Sequence, residues 1–112
     1  MDKPKLGNLI AAKSALDSLA ASKLKGTVAY LVAKNINLVN QELQNFDVGR
    51  KAIMFRHSIQ DGQTNIPVAA KAEFDELLGT EVQAEFVPIA PADLPEISPE
   101  DVMKMMWLIC AD

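Results

Sequence analysis

The sequence predicts a mostly helical α+β domain, and three observations support that fold class. Two long stretches carry apolar residues at three- and four-residue steps, the period of an amphipathic helix. A shorter stretch, residues 81–89, alternates apolar and polar residues as a strand does. The 112 residues are 49% apolar, enough for one buried core. We therefore expect a single domain over residues 1–112, with a helical hairpin at about 6–57 and an α/β C-terminal part at about 62–110.

The first helical stretch covers residues 6–24 in an Ala-rich background. It ends at "KLKGT", where Gly26 can adopt the left-handed conformation that follows a helix and Thr27 can cap the next helix. The sequence therefore predicts that the first two helices form an antiparallel hairpin. The apolar residues at helical spacing are Leu6, Leu9, Ile10, Leu16, Leu19 and Leu24.

The second helix is predicted from Thr27 to His57 and is much longer than the first. Its heptad-like stripe has steps of four and three residues and is typical of helices that pack at a shallow angle. Because the first helix is too short to cover the far end of this stripe, we expect the C-terminal helix or another chain to cover it. The predicted partner interface comprises Leu43, Phe46, Arg50, Ile53 and Trp107.

Asn35 interrupts the apolar character of the second helix next to the predicted seam with the first. A buried polar residue can fix the register of paired helices at some cost in stability. The other interpretation is an asparagine that faces solvent, and the sequence does not separate the two.

The C-terminal part is predicted to contain one short helix, one or two strands and a final helix. "VAAKAEFDELLGT" has helical spacing and ends at Gly79, and "EVQAEFVPI" predicts a strand that pairs with residues 63–66 or with another chain. "SPEDVMKMMWLICAD" begins with helix-start signals at Ser98 and Pro99. Its apolar residues occupy nearly all sides, so we expect a helix buried on most sides, with an adaptable methionine docking face as the alternative.

Three motifs, "KLKGTVAYLVAKN", "EFDELLGTEV" and "ISPEDVMKMMWLI", resemble those of small uncharacterised proteins encoded by tailed bacteriophages and prophages. The resemblance extends from about residue 19 to residue 109. It provides no catalytic residues that could be transferred to this chain. It implies phage origin and expression in the cytoplasm of a bacterial host, with a place in the virion or its assembly as a further option.

The charge distribution is asymmetric. Residues 1–60 carry nine basic and four acidic residues, a net charge of +5, whereas residues 61–112 carry two and eleven, a net charge of −9. Either one half folds onto the other, or the basic and acidic faces of different copies or partners meet. The single cysteine, Cys110, forms no internal disulfide and fits a reducing compartment. No apolar run approaches the roughly 20 residues of a membrane span, so we expect no membrane partner.

Two groups of residues could suggest catalysis or metal binding. His57 is the only histidine and precedes Asp61 by four positions, but a metal site or catalytic triad requires more ligands than this pair. Glu73, Asp75 and Glu76, with Glu81 and Glu85 nearby, are more typical of a solvated helix face than of paired catalytic carboxylates. We therefore expect no enzyme activity, no metal and no cofactor.

Basic residues along the hairpin suggest an alternative function, a small regulatory or nucleic-acid-binding protein. The pI of about 4.9 disfavours it, because nucleic-acid-binding domains are usually basic. Our first hypothesis is a non-enzymatic phage structural or interaction protein that self-associates, as a dimer or larger, through its long helix, with other phage proteins as further candidate partners. The basic residues of the alternative are Lys13, Lys23, Lys25, Lys34, Arg50, Lys51 and Arg56.

Overall fold

The structure is a computed structural model that describes residues 3–60 and 62–109, and it is mostly helical, as predicted. Four α-helices follow one another along these residues: α1 (Leu6–Ala20), α2 (Gly26–Arg56), α3 (Val68–Leu78) and α4 (Pro99–Lys104). A short 3-10 helix, Pro91–Asp93, lies between α3 and α4. The molecule is elongated, with extents of 48 × 25 × 23 Å, because α2 alone is roughly 46 Å long at about 1.5 Å per residue.

α1 and α2 form the predicted hairpin and supply most of the large core. α1 buries one face at three- and four-residue steps, from Leu6 to Leu19, and α2 buries Val28, Val32, Asn35 and Val39 opposite it. Gly26 does not end α1 in a left-handed conformation; it is the first residue of α2, and Lys25 occupies the position before the helix. The bend is instead made by residues 21–25, outside both helices.

α3 covers the far half of α2. Ile53 of α2, Ile59 of the following turn and Ala70 of α3 form a second, smaller buried cluster. Gly49 permits the close packing, because a Cβ atom at that position would lie 3.3 Å from both terminal methyl carbons of Leu77. The core-facing side of the part of α2 that α1 cannot reach is therefore covered within the chain, by α3.

The structure does not confirm the predicted strands. In the described residues, an isolated antiparallel bridge joins Lys5 to Glu81 and an isolated parallel bridge joins Ile89 to Ile109. Residues 63–66 are not the bridge partner of the segment at 81–89. Its alternation nevertheless has a packing cause: Val82 and Phe86 are buried in the large core and Ala84 packs against it, whereas Gln83 and Glu85 are exposed.

The C-terminal helix is shorter than predicted. Its start is as expected, with the Ser98 hydroxyl accepting a hydrogen bond from the Asp101 N–H at 3.2 Å, but α4 ends at Lys104 and turns follow. Burial on most sides was also wrong: Met105 and Leu108 are buried, whereas Met103 and Met106 are exposed. The predicted continuation beyond residue 109 lies outside the described residues.

Candidate functional site

The five residues of the predicted partner interface do not form one surface. Leu43, Phe46 and Trp107 are half-buried and pack against the large core. Ile53 belongs to the smaller cluster under α3. The structure thus brings three of the five to one core and separates Ile53 from them, and their role in contacting a partner stays a prediction.

Arg50, the fifth of these residues, is held by its own helix. Its Nε and Nη2 atoms donate to Asp47 Oδ1 at 3.1 and 2.8 Å, and Lys51 Nζ lies 3.1 Å from Asp47 Oδ2. These hydrogen bonds, from Arg50 first and Lys51 second, lower the pKa of the Asp47 carboxyl group below its ordinary value. Arg50 Nη1 also lies 3.1 Å from Met54 Sδ. The guanidinium group is therefore engaged within the chain.

Trp107 joins the C-terminal segment to the segment at 81–89. Its ring meets Phe86 edge-on, with centroids 5.0 Å apart and planes at 76°. The Nε1 atom is buried and has no hydrogen-bond partner among the described residues. The indole thus acts here as an apolar packing group.

An exposed apolar face lies on the side of α2 opposite to its buried residues. This face was not predicted from the sequence. Phe55 is 88% exposed and Val48 70% exposed, and the exposed Ala52 lies between them. At about 100° per residue the three lie within about 60° of one another. We call these three residues the outer face of α2.

The outer face points away from the rest of the molecule. By the same helical geometry it is about 170° from the side that carries Val32, Val39 and Ile53, all of them buried. The sequence contains a signal for it, because residues 48, 52 and 55 repeat the steps of four and three. That stripe is shorter and less apolar than the one that enters the core, so sequence alone could not rank it as an exposed surface.

Acidic side chains pair with many of the basic residues that could contact nucleic acid. Lys13 lies 3.3 Å from Asp17, and Arg56 Nη1 lies 2.7 Å from Glu73 Oε1. Together with the Asp47 pairs, these contacts offset the positive charge along the hairpin. The geometry therefore does not favour the nucleic-acid alternative over self-association.

The His57 region serves to join two helices. His57 Nε2 forms a hydrogen bond with Glu73 Oε2. The carboxylate of Glu73, on α3, therefore contacts both Arg56 and His57 at the end of α2. Asp61, the other residue considered with His57, lies outside the described residues. In residues 3–60 and 62–109 no three metal-ligating side chains come together, and no helix of this part is long and apolar enough to cross a membrane.

The fold and surface define a mostly helical chain with an uncovered apolar helix face. Comparisons with protein-family models, curated proteins and solved structures give no match.

Proposed function

We propose that this chain is a non-enzymatic phage or prophage interaction protein that self-associates through the outer face of α2. The observation that carries the proposal is the 88% exposure of Phe55 beside the exposed Val48 and Ala52. A large aromatic side chain with this exposure gains free energy when a partner removes it from water. The phage context is supported by the three motifs of the sequence.

A second copy of the chain is the partner that we propose for this face. The outer face places a small residue, Ala52, between two larger ones, Val48 and Phe55, so a large side chain of one copy can pack beside the small residue of the other. The two halves of the sequence, with net charges of +5 and −9, give copies of the chain complementary fields at longer range.

The size of the face predicts a weak association. Stable complexes bury roughly 800 Å² per partner, about a tenth of this molecule's surface of 7323 Å². Three apolar residues on one helix cover less than that. We expect a dissociation constant on the order of 10–100 μM, with monomers dominant below that range.

Sedimentation velocity at concentrations from well below to well above that range tests the proposal. The wild type should shift from monomer to dimer, and Phe55→Ser should weaken the dimer by about tenfold or more, since it removes most of the apolar area. Tyr30→Ser is the control, because Tyr30 is an aromatic residue of α2 that is 64% exposed on the same side of the helix but lies about 27 Å from Val48 along its axis. A wild type that stays monomeric throughout would overturn the proposal.

A further inference from the structure

We infer that two copies pair antiparallel across α2, about a twofold axis near residue 50, with Glu42 of each copy facing Arg56 of the other. The inference rests on the proposed self-association and adds the orientation of the partner. It starts from the charges that flank the outer face. By the same helical geometry, Arg56 lies about 75° and Glu42 about 115° from the centre of this face on one flank, and Lys51 lies about 65° from it on the other.

A parallel pair would place like charges together. In parallel helices, a residue on one flank faces a residue on the opposite flank of the partner about five positions further along. Lys51 of each copy would then face Arg56 of the other, and the pair would contain two such repulsions. The helix dipoles would also be aligned, which is the less favourable arrangement.

An antiparallel pair brings opposite charges together. With the axis near residue 50, the same flanks face each other, and Arg56 of one copy comes opposite Glu42 of the other. Glu42 forms no ion pair within residues 3–60 and 62–109, so no basic residue of this part of its own chain competes with the second copy for its carboxylate. Arg56 already contacts Glu73, but its side chain is 63% exposed and can bridge two carboxylates.

The apolar residues fit the same arrangement. Because the axis lies near residue 50, two residues face each other when their residue numbers add to about 100. Val48 therefore faces Ala52 of the other copy and packs beside its Phe55. Lys51 lies near the axis in both copies, and Asp47 at 3.1 Å in the same copy offsets its charge there.

Distance measurement between spin labels tests the orientation. The labelled protein carries Asn37→Cys and Cys110→Ser, which places one label on each copy at an exposed site beyond the contact. An antiparallel pair predicts a label separation of roughly 40 Å, from 26 residues of axial offset at about 1.5 Å each. A parallel pair predicts roughly 10–15 Å, the spacing of neighbouring helices plus label length.

Charge variants provide an independent readout. Glu42→Lys should weaken the antiparallel dimer roughly three- to tenfold, since it replaces two attractions by repulsions, and Arg56→Glu in the same chain should restore it. In a parallel dimer, Glu42→Lys changes little and Lys51→Glu tightens association, because the introduced carboxylate would meet Arg56 of the other copy. Lys34→Glu, an exposed change on the same helix, is the control for net charge.

The outcomes separate the two proposals. A monomeric wild type overturns self-association itself. A dimer that requires Phe55 but shows the short label distance and no effect of Glu42→Lys overturns only the antiparallel orientation. The long distance, together with rescue by the charge swap, supports both.

Discussion

The side-chain amide of Asn35 pairs with both backbone polar groups of Val87. Its Nδ2 donates to the Val87 carbonyl oxygen at 2.8 Å, and its Oδ1 accepts from the Val87 N–H at 2.8 Å. Asn35 is completely buried, so neither end can exchange this partner for water. The carboxamide thus supplies the donor and acceptor that a neighbouring strand would supply, and it anchors the segment at 81–89 to α2.

Replacement of Asn35 by leucine should destabilise the protein strongly. Both polar groups of Val87 would lose their partner at a part-buried position, which costs about 2–4 kcal/mol of unfolding free energy for two hydrogen bonds. Urea unfolding measures this loss. Asn37→Leu is the control, an exposed asparagine of the same helix whose replacement should change stability by less than about 0.5 kcal/mol. Equal effects of the two substitutions would contradict the anchoring role.

A large side chain at Gly49 should separate α3 from α2. A Cβ atom there already lies 3.3 Å from the Leu77 methyl carbons, so Gly49→Leu forces the helices apart and should cost about 1–3 kcal/mol. Leu77→Ala in the Gly49→Leu background should recover part of that loss, which a double-mutant cycle in urea would detect. Gly26→Leu, where the added atom meets nothing within 4 Å, is the control. Additive losses would show that Leu77 is not the obstacle.

The helices could be predicted from the sequence because their signals are local. The buried residues of α1 and α2 recur at the helical period, and that period placed both helices, while the break at "KLKGT" placed the bend between them. Packing between distant segments leaves no comparable signal. Asn35 occupies a core position, but its hydrogen-bond partner is 52 residues away in the sequence. The sequence therefore left open whether Asn35 was buried between two helices or faced solvent.

The errors have physical causes of the same kind. The strand signal at 82–86 was a true alternation of buried and exposed residues, but the polar pairing of Val87 is with Asn35 rather than with a strand. The end of α4 was misplaced because Leu108 turns into the core and its carbonyl oxygen accepts from the Ile89 N–H at 3.0 Å. The outer face of α2 could not be recognised before α3 was placed on the other side.

Glu73 should contribute to the attachment of α3 through its two contacts with the end of α2. Its carboxylate meets Arg56 Nη1 at 2.7 Å and also bonds His57 Nε2, while all three side chains are partly exposed. Because solvent screens such pairs, Glu73→Ala should lower the unfolding free energy by only about 1 kcal/mol. Asp75→Ala, an exposed carboxylate of the same helix, should have a smaller effect in the same urea titration. A loss no larger than that of Asp75→Ala would show that the contacts do not stabilise α3.

Acid should remove the stabilising effect of Asp47. Hydrogen bonds from Arg50 and then Lys51 lower the pKa of this carboxyl group from its ordinary value of 3.8. A carboxyl group with a lower pKa in the folded chain stabilises the fold above its unfolded pKa, and this contribution disappears as pH falls through the folded pKa. Asp47→Asn lacks the ionisable group and therefore lacks this pH dependence.

The melting temperatures of wild type and Asp47→Asn should consequently differ near neutral pH, with the wild type higher, and converge as the pH falls below 3.8. The difference should be small because Asp47 is on the surface, and concentrated salt should reduce it further at neutral pH. Thermal unfolding followed by circular dichroism across this pH range measures the convergence. A constant difference at all pH values, unaffected by salt, would show that Asp47 acts through its position in the helix rather than through its charge.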